Sequence, residues 1–255
     1  MEQAVRVFGY SGAIVASAFA GALWPVLTDG RKRMVLFLAF AAGVMLGAAF
    51  FHMLPEAFES GGAWAVGFVP VGFVGLFLLE RYVLVHACEE PPECEEHAHR
   101  PAFGMTAFLG LSVHTLFDGV ALASAVAEGI GMMAFLAIVA HKVPSSLSLA
   151  SILKAEGRSK GRVLSLVLVF GLMVPLGAVL YYGLQQVAHW PRMTPAALAF
   201  SAGTFLYIAV SDLLPHINRH GRDRKLANIG GLLVGLLIMF ALTLVLPDHH
   251  LGSRG

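Results

Sequence analysis

The chain has 255 residues, 57% of them hydrophobic and 13% charged, with a mean hydropathy of +0.75. This balance excludes a disordered chain and argues against a water-soluble globule. A formal net charge of +1 offers nucleic acid no electrostatic handle, so no nucleic-acid partner is expected.

A bilayer core about 30 Å thick takes roughly 20 apolar residues per helix. Eight such stretches follow one another, over 5–27, 34–56, 64–86, 104–126, 129–153, 163–187, 194–216 and 227–246. They use most of the chain, so the expected protein is an all-α integral membrane protein, a single polytopic transmembrane domain over 1–255. The first stretch lacks a strongly basic start and a clear cleavage site, and reads as a retained span. Most of the 17 Lys and Arg residues fall in the loops after spans one, three, five and seven, for example Arg31, Lys32 and Arg33 after span one and Lys154, Arg158, Lys160 and Arg162 after span five. The positive-inside rule puts those loops in the cytoplasm and both termini outside, in an inner or plasma cell membrane.

Span two contains "AGVMLGAAFFHMLPEA" (42–57) and span seven "AGTFLYIAVSDLLPHI" (202–217). At this offset of 160, His52 stands against Asp212 and Glu56 against His216. These four read as residues along an ion path; interfacial capping is the competing reading. The loop over 87–103, with His86 just before it, is rich in His, Cys and Glu. His86, Cys88, Cys94, His97 and His99 suit a loose metal-collecting loop, although their spacing is too irregular for a closed zinc site. A solvated acidic loop would explain the same residues. Glu80 with Arg81, His189 and His220 read as interfacial, and the paired His249 and His250 sit in the tail.

Span four reads "LSVHTLFDGVALASAVA", so His114 and Asp118 share one helix face, one turn apart. Span five repeats the pattern 27 residues on: His141 matches His114, Ser145 matches Asp118, and "SLAS" matches "ALAS". Spans two and seven cross in opposite directions, as do four and five, and inverted repeats around a midplane site mark transporters. A charged side chain at the bilayer centre costs at least ~2.5–3.5 kcal/mol, so Lys142 and Asp118 demand a function or a partner. Imidazole with carboxylate suits zinc, iron or manganese. Hydrogen bonding between packed helices is the plainer alternative. Pro144 frees a carbonyl near Ala140 or His141 for a polar cavity.

These motifs resemble the ZIP (Zrt/Irt-like) family of divalent metal transporters. "HTLFDG" is similar to the family's HN-x-x-D/E-G in span four, and "HKVPSS" to its H/Q-E/D-x-P-x-E in span five. "AAGVML", "GTFLYIAVSDLLP" and a metal-binding loop after span three are similar too, and the resemblance covers essentially the whole chain. It implies an eight-helix, three-two-three inverted-repeat bundle with a metal path between spans four and five. Carried over by position, it implies a site of Met45, His114, Asp118 and His141, with Ser145 where the family has Glu. It also implies a second site whose ligands are replaced here by Thr115, Lys142 and Val174. All anionic ligands of that second site are gone, so a single-metal centre is expected, with Lys142 in place of the second ion and paired with Asp118.

The expected function is carriage of a divalent transition metal, zinc first, with iron, manganese or cadmium compatible, towards the cytoplasm by alternating access. The metal would be transported substrate, and no cofactor or enzymatic activity is expected. The alternatives are a metal-binding receptor or non-transporting relative and, with less support, a membrane metallohydrolase, for which no HExxH motif and no spare general base are present. Glycines in runs such as "GLLVG" (231–235) permit close helix contact or a homodimer.

Overall fold

The computed structural model describes residues 2–28, 31–84, 102–127, 129, 131–185 and 193–245; among these, the side chains of 31–33, 83–84, 102–103, 184–185, 193–194, 220, 222 and 245 are left out. His86, Cys88, Cys94, His97, His99, His189, His249 and His250 lie outside the described residues.

The described residues form helices and turns, without a strand. Helix α1 is Glu2–Leu27; α2 (Arg31–Gly47) passes through a π segment, Ala48–Met53, into α3 (Leu54–Val66). Helix α4 (Phe68–Leu78) ends in a second π segment, Leu79–Leu84. Then come α5 (Ala102–Ala127), α6 (Gly131–Ala155) and α7 (Lys160–Gln185). Helix α8 (Met193–Tyr207) passes through a third π segment, Ile208–Leu213, into α9 (Leu214–His220), and α10 (Lys225–Val245) completes the described chain. Seven helical segments among the described residues are long and apolar enough to cross a membrane. The remaining expected stretch, 64–86, contains α4 and its π segment, about 25 Å of helix at 1.5 Å per residue.

Span two runs past the expected end at residue 56. The chain turns only at Gly62, whose φ of 67° lies in the left-handed region open to glycine. Glu56 and Glu59, both exposed, lie within this longer helix. Leu-Pro does not stop it either. Pro55 sits in the first turn of α3, directly after a π segment, where a missing N–H costs least.

The repeat seen in the sequence is built into the backbone. Residues 48–53 and 208–213 form matching π segments, and each closes with the same wide bond: Leu54 N–H to the Ala49 carbonyl, Leu214 N–H to the Ala209 carbonyl. Helix contacts repeat as well. Gly43 abuts the Leu232 carbonyl of α10, and its counterpart Gly203 abuts the Val69 carbonyl of α4. Gly235 abuts the Phe40 carbonyl and Gly72 that of Phe200. Gly21 of α1 meets the Val143 carbonyl of α6, just as Gly177 of α7 meets the Leu116 carbonyl of α5. A pseudo-two-fold relation thus exchanges spans one and six, two and seven, three and eight, and four and five. Small residues at each crossing let backbones touch, the usual basis of packing where lipid removes the hydrophobic drive.

Of the two readings open for "GLLVG", close helix contact is the one seen here: Gly231 and Gly235 face Leu36 and Phe40 of α2 within the same chain.

Polarity is arranged inside out. Large apolar side chains point outward, among them Leu168, Leu172 and Leu176 on α7 and Leu233, Val234 and Leu237 on α10. His114, Thr115, Asp118, Lys142, Ser145, Ser146 and Ser148 are buried at the centre on α5 and α6.

Candidate metal centre

Helix α5 presents His114 and Asp118 from one face, and α6 brings His141 and Lys142 against them. The His114, Asp118 and His141 ligand atoms all lie within 4.8 Å of one another. His114 Nε2 is 3.3 Å from Asp118 Oδ1, and His141 Nε2 is 3.5 Å from Asp118 Oδ2. Donors on a tetrahedral zinc ion at bond lengths of about 2.0–2.1 Å stand about 3.3–3.4 Å apart. Both histidine–aspartate separations are thus close to those of donors around a small divalent ion.

His114 points to the same conclusion. Both of its ring nitrogens are buried, and neither has a hydrogen-bond partner among the described residues, since the Asp118 contact lacks hydrogen-bond alignment. Buried imidazole nitrogens usually find a hydrogen-bond partner, and ones left without suit a metal-binding role. His141 is the partly open member, with its side chain 19% exposed against 4% for His114.

Lys142 is 1% exposed. Its ammonium donates to Thr115 Oγ1 at 2.6 Å and to Asp118 Oδ2 at 3.5 Å, and lies 4.2 Å from the centroid of the Phe170 ring on α7. A buried ammonium is tolerable only with such partners. The expected pairing with Asp118 is thus present, but the closest partner is Thr115. Phe170 was missed in the sequence; an aromatic residue in an apolar span looks like ordinary packing. Val174, one turn on from Phe170, lies in an apolar cluster with Ile14, Leu122 and Ile138.

The serines after Pro144 look inward to their own helix. Ser145 Oγ donates to the His141 carbonyl at 2.7 Å, Ser146 Oγ to the Val143 carbonyl and Ser148 Oγ to the Pro144 carbonyl. They satisfy backbone acceptors around the proline, which explains "PSSLS" without a ligand role for each hydroxyl. The helix remains continuous from Gly131 to Ala155.

Met45 is fully buried on α2, which packs against α6. A further residue missed in the sequence is Phe205 of α8, whose ring centroid lies 4.4 Å from that of His114. The repeat offset could have found it, since it sets Phe205 against Met45.

The four path residues do not join the triad. His52 Nε2 lies 3.2 Å from the Met239 carbonyl oxygen, Glu56 is exposed, and His216 is half-buried. Asp212 Oδ2 is buried without a hydrogen-bond partner among the described residues. Glu80, expected at the interface beside Arg81, is half-buried and accepts a 2.6 Å hydrogen bond from Tyr207. Glu156 accepts from the Gly104 N–H at 2.5 Å and from Arg158 Nε at 3.1 Å. This carboxylate caps α5 and ties its start to the end of α6. Burial pushes its pKa upward, against the pull of those two donors.

The profile of the family described as "ZIP Zinc transporter" matches residues 5–102 and 86–243. The chain is 33% identical over 201 residues to "Zinc transporter ZIP9" of Micropogonias undulatus, covering 71% of this chain and 63% of that protein. It is 34% identical over 165 residues to "Zinc transporter ZIP9-B" of Xenopus laevis, covering 61% and 53%. It thus spans between half and two thirds of the length of these relatives. A match to "Zinc transporter ZupT" of Corynebacterium aurimucosum is 27% identical over 260 residues and covers 94% of this chain and 97% of that protein. With a helical bundle of repeated halves, a buried His-Asp-His cluster and a profile match along nearly its whole length, the chain belongs to the ZIP zinc transporter family.

Proposed function

We propose that the protein carries a divalent transition metal, zinc first, across a cell membrane towards the cytoplasm by alternating access. The observation that carries this reading is the His114, Asp118 and His141 cluster, within 4.8 Å, between two helices related by the pseudo-two-fold. A site on such an axis is reached from either face as one half rocks against the other.

In this reading the two imidazoles and the carboxylate hold the ion, and Met45 supplies a thioether from α2. Ser145 contributes at most a neutral oxygen. Lys142 stands in for a second cation, held by Thr115 and Phe170, so the centre takes one metal at a time. The empty centre is formally neutral, with Asp118 balanced by Lys142. An ammonium beside a dication is repelled by it, which weakens binding and favours release. A carrier benefits from that; a storage site does not. His52, Glu56, Asp212 and His216 line the route to the two faces. The loop over 87–103 collects metal on the cytoplasmic side, and both termini are extracytoplasmic.

A second reading, a metal receptor without flux, draws on the contact between Lys142 and Asp118. Zinc uptake into proteoliposomes separates the two. The carrier reading expects flux in the wild type that collapses in His141→Ala; bound zinc without flux in the wild type supports the receptor.

A further inference from the structure

We propose that Phe205 sets the metal preference of the centre, by occupying the two-fold counterpart of Met45 and closing the His114 side to a soft donor. The inference rests on the metal-centre reading above and adds a specificity-determining residue to it.

The correspondence that places 42–57 on 202–217 sets Met45 against Phe205, and the one that places span four on span five sets His114 against His141. Packing follows the same rule: α2 lies against α6, and α8 lies against α5. The operation that carries the His141 side onto the His114 side therefore carries Met45 onto Phe205. Its ring lies 4.4 Å from the His114 ring, tilted by 58°, and the residue is 1% exposed.

A phenyl ring offers a metal no σ-donor lone pair, whereas a thioether sulfur does. Soft sulfur shifts a mixed site towards soft ions such as Cd²⁺, and nitrogen and oxygen keep it borderline, suited to Zn²⁺. With Met45 as a ligand, as in the reading above, the centre has thioether on one side only. His114, with both nitrogens orphaned, sits where the second sulfur would act. Phe205 thus removes by sterics and chemistry the donor that the fold's symmetry would otherwise place there.

The test uses the full chain in detergent and titrates Zn²⁺ and Cd²⁺ against a competing chelating dye. Phe205→Met is expected to raise the ratio of Cd²⁺ to Zn²⁺ affinity about tenfold, and Phe205→Leu, which fills space without a donor, to leave it unchanged. An equal ratio in both variants overturns the inference. Should Phe205→Met fail to fold, Phe205→Cys places a soft sulfur donor there in a smaller volume; the ratio is again expected to rise about tenfold, and an unchanged ratio overturns the inference. Failure of the underlying reading shows elsewhere: zinc affinity retained in the His114→Ala, His141→Ala double variant removes the metal centre itself.

Discussion

Placed on one another by the two-fold relation, the His114 side and the His141 side of the centre share a backbone and differ in chemistry. Glycine contacts, π segments and helix neighbours repeat from one half to the other. At the centre only the histidines repeat. Asp118 faces Ser145, Thr115 faces Lys142, and Phe205 faces Met45. Thr115 and Lys142 even bond to each other across the axis, at 2.6 Å. The frame is thus symmetric while the residues at its centre are unequal, with one carboxylate and one ammonium where the repeat alone would place a matched pair.

The largest expected effect tests that inequality. Asp118→Ala should weaken zinc binding at least about 100-fold, while Ser145→Ala, its counterpart, should change it little, read by dye competition. Equal losses would make the two positions functionally alike. Next come the shared contacts. Gly43→Ala and Gly203→Ala each drive a methyl into a backbone carbonyl, a cost of about 1–3 kcal/mol, and should lower the thermal midpoint in detergent by similar amounts. A loss at only one would show that the halves carry load unequally. The smallest effect concerns charge: Lys142→Met should tighten zinc binding about tenfold by removing the ammonium beside the ion. Weaker binding would instead assign Lys142 to holding Asp118 in place.

Much of this was legible in the sequence because it depends on residues within one span. His114 with Asp118 and His141 with Ser145 lie one helical turn apart, and the Leu-Pro pairs mark the repeat. What escaped depends on the rotation of one helix against another. Phe170 reaches Lys142 from α7, a helix apolar on every side, so no periodicity says which face turns inward. Glu80 accepts a hydrogen bond from Tyr207 of α8, a contact between two helices that no pattern within one span reveals. Span two also outran its expected end at residue 56, since the turn comes only at Gly62.

The central claim, one ion at an unequal centre, is tested most directly by counting. Equilibrium zinc binding to the purified chain, compared with the His114→Ala, His141→Ala double variant, isolates the ions held by this site from any held by the loop over 87–103. A difference of one zinc per chain is the predicted result. A difference of two would mean that Lys142 leaves room for a second ion, and a difference of none would mean that the cluster is not a metal site.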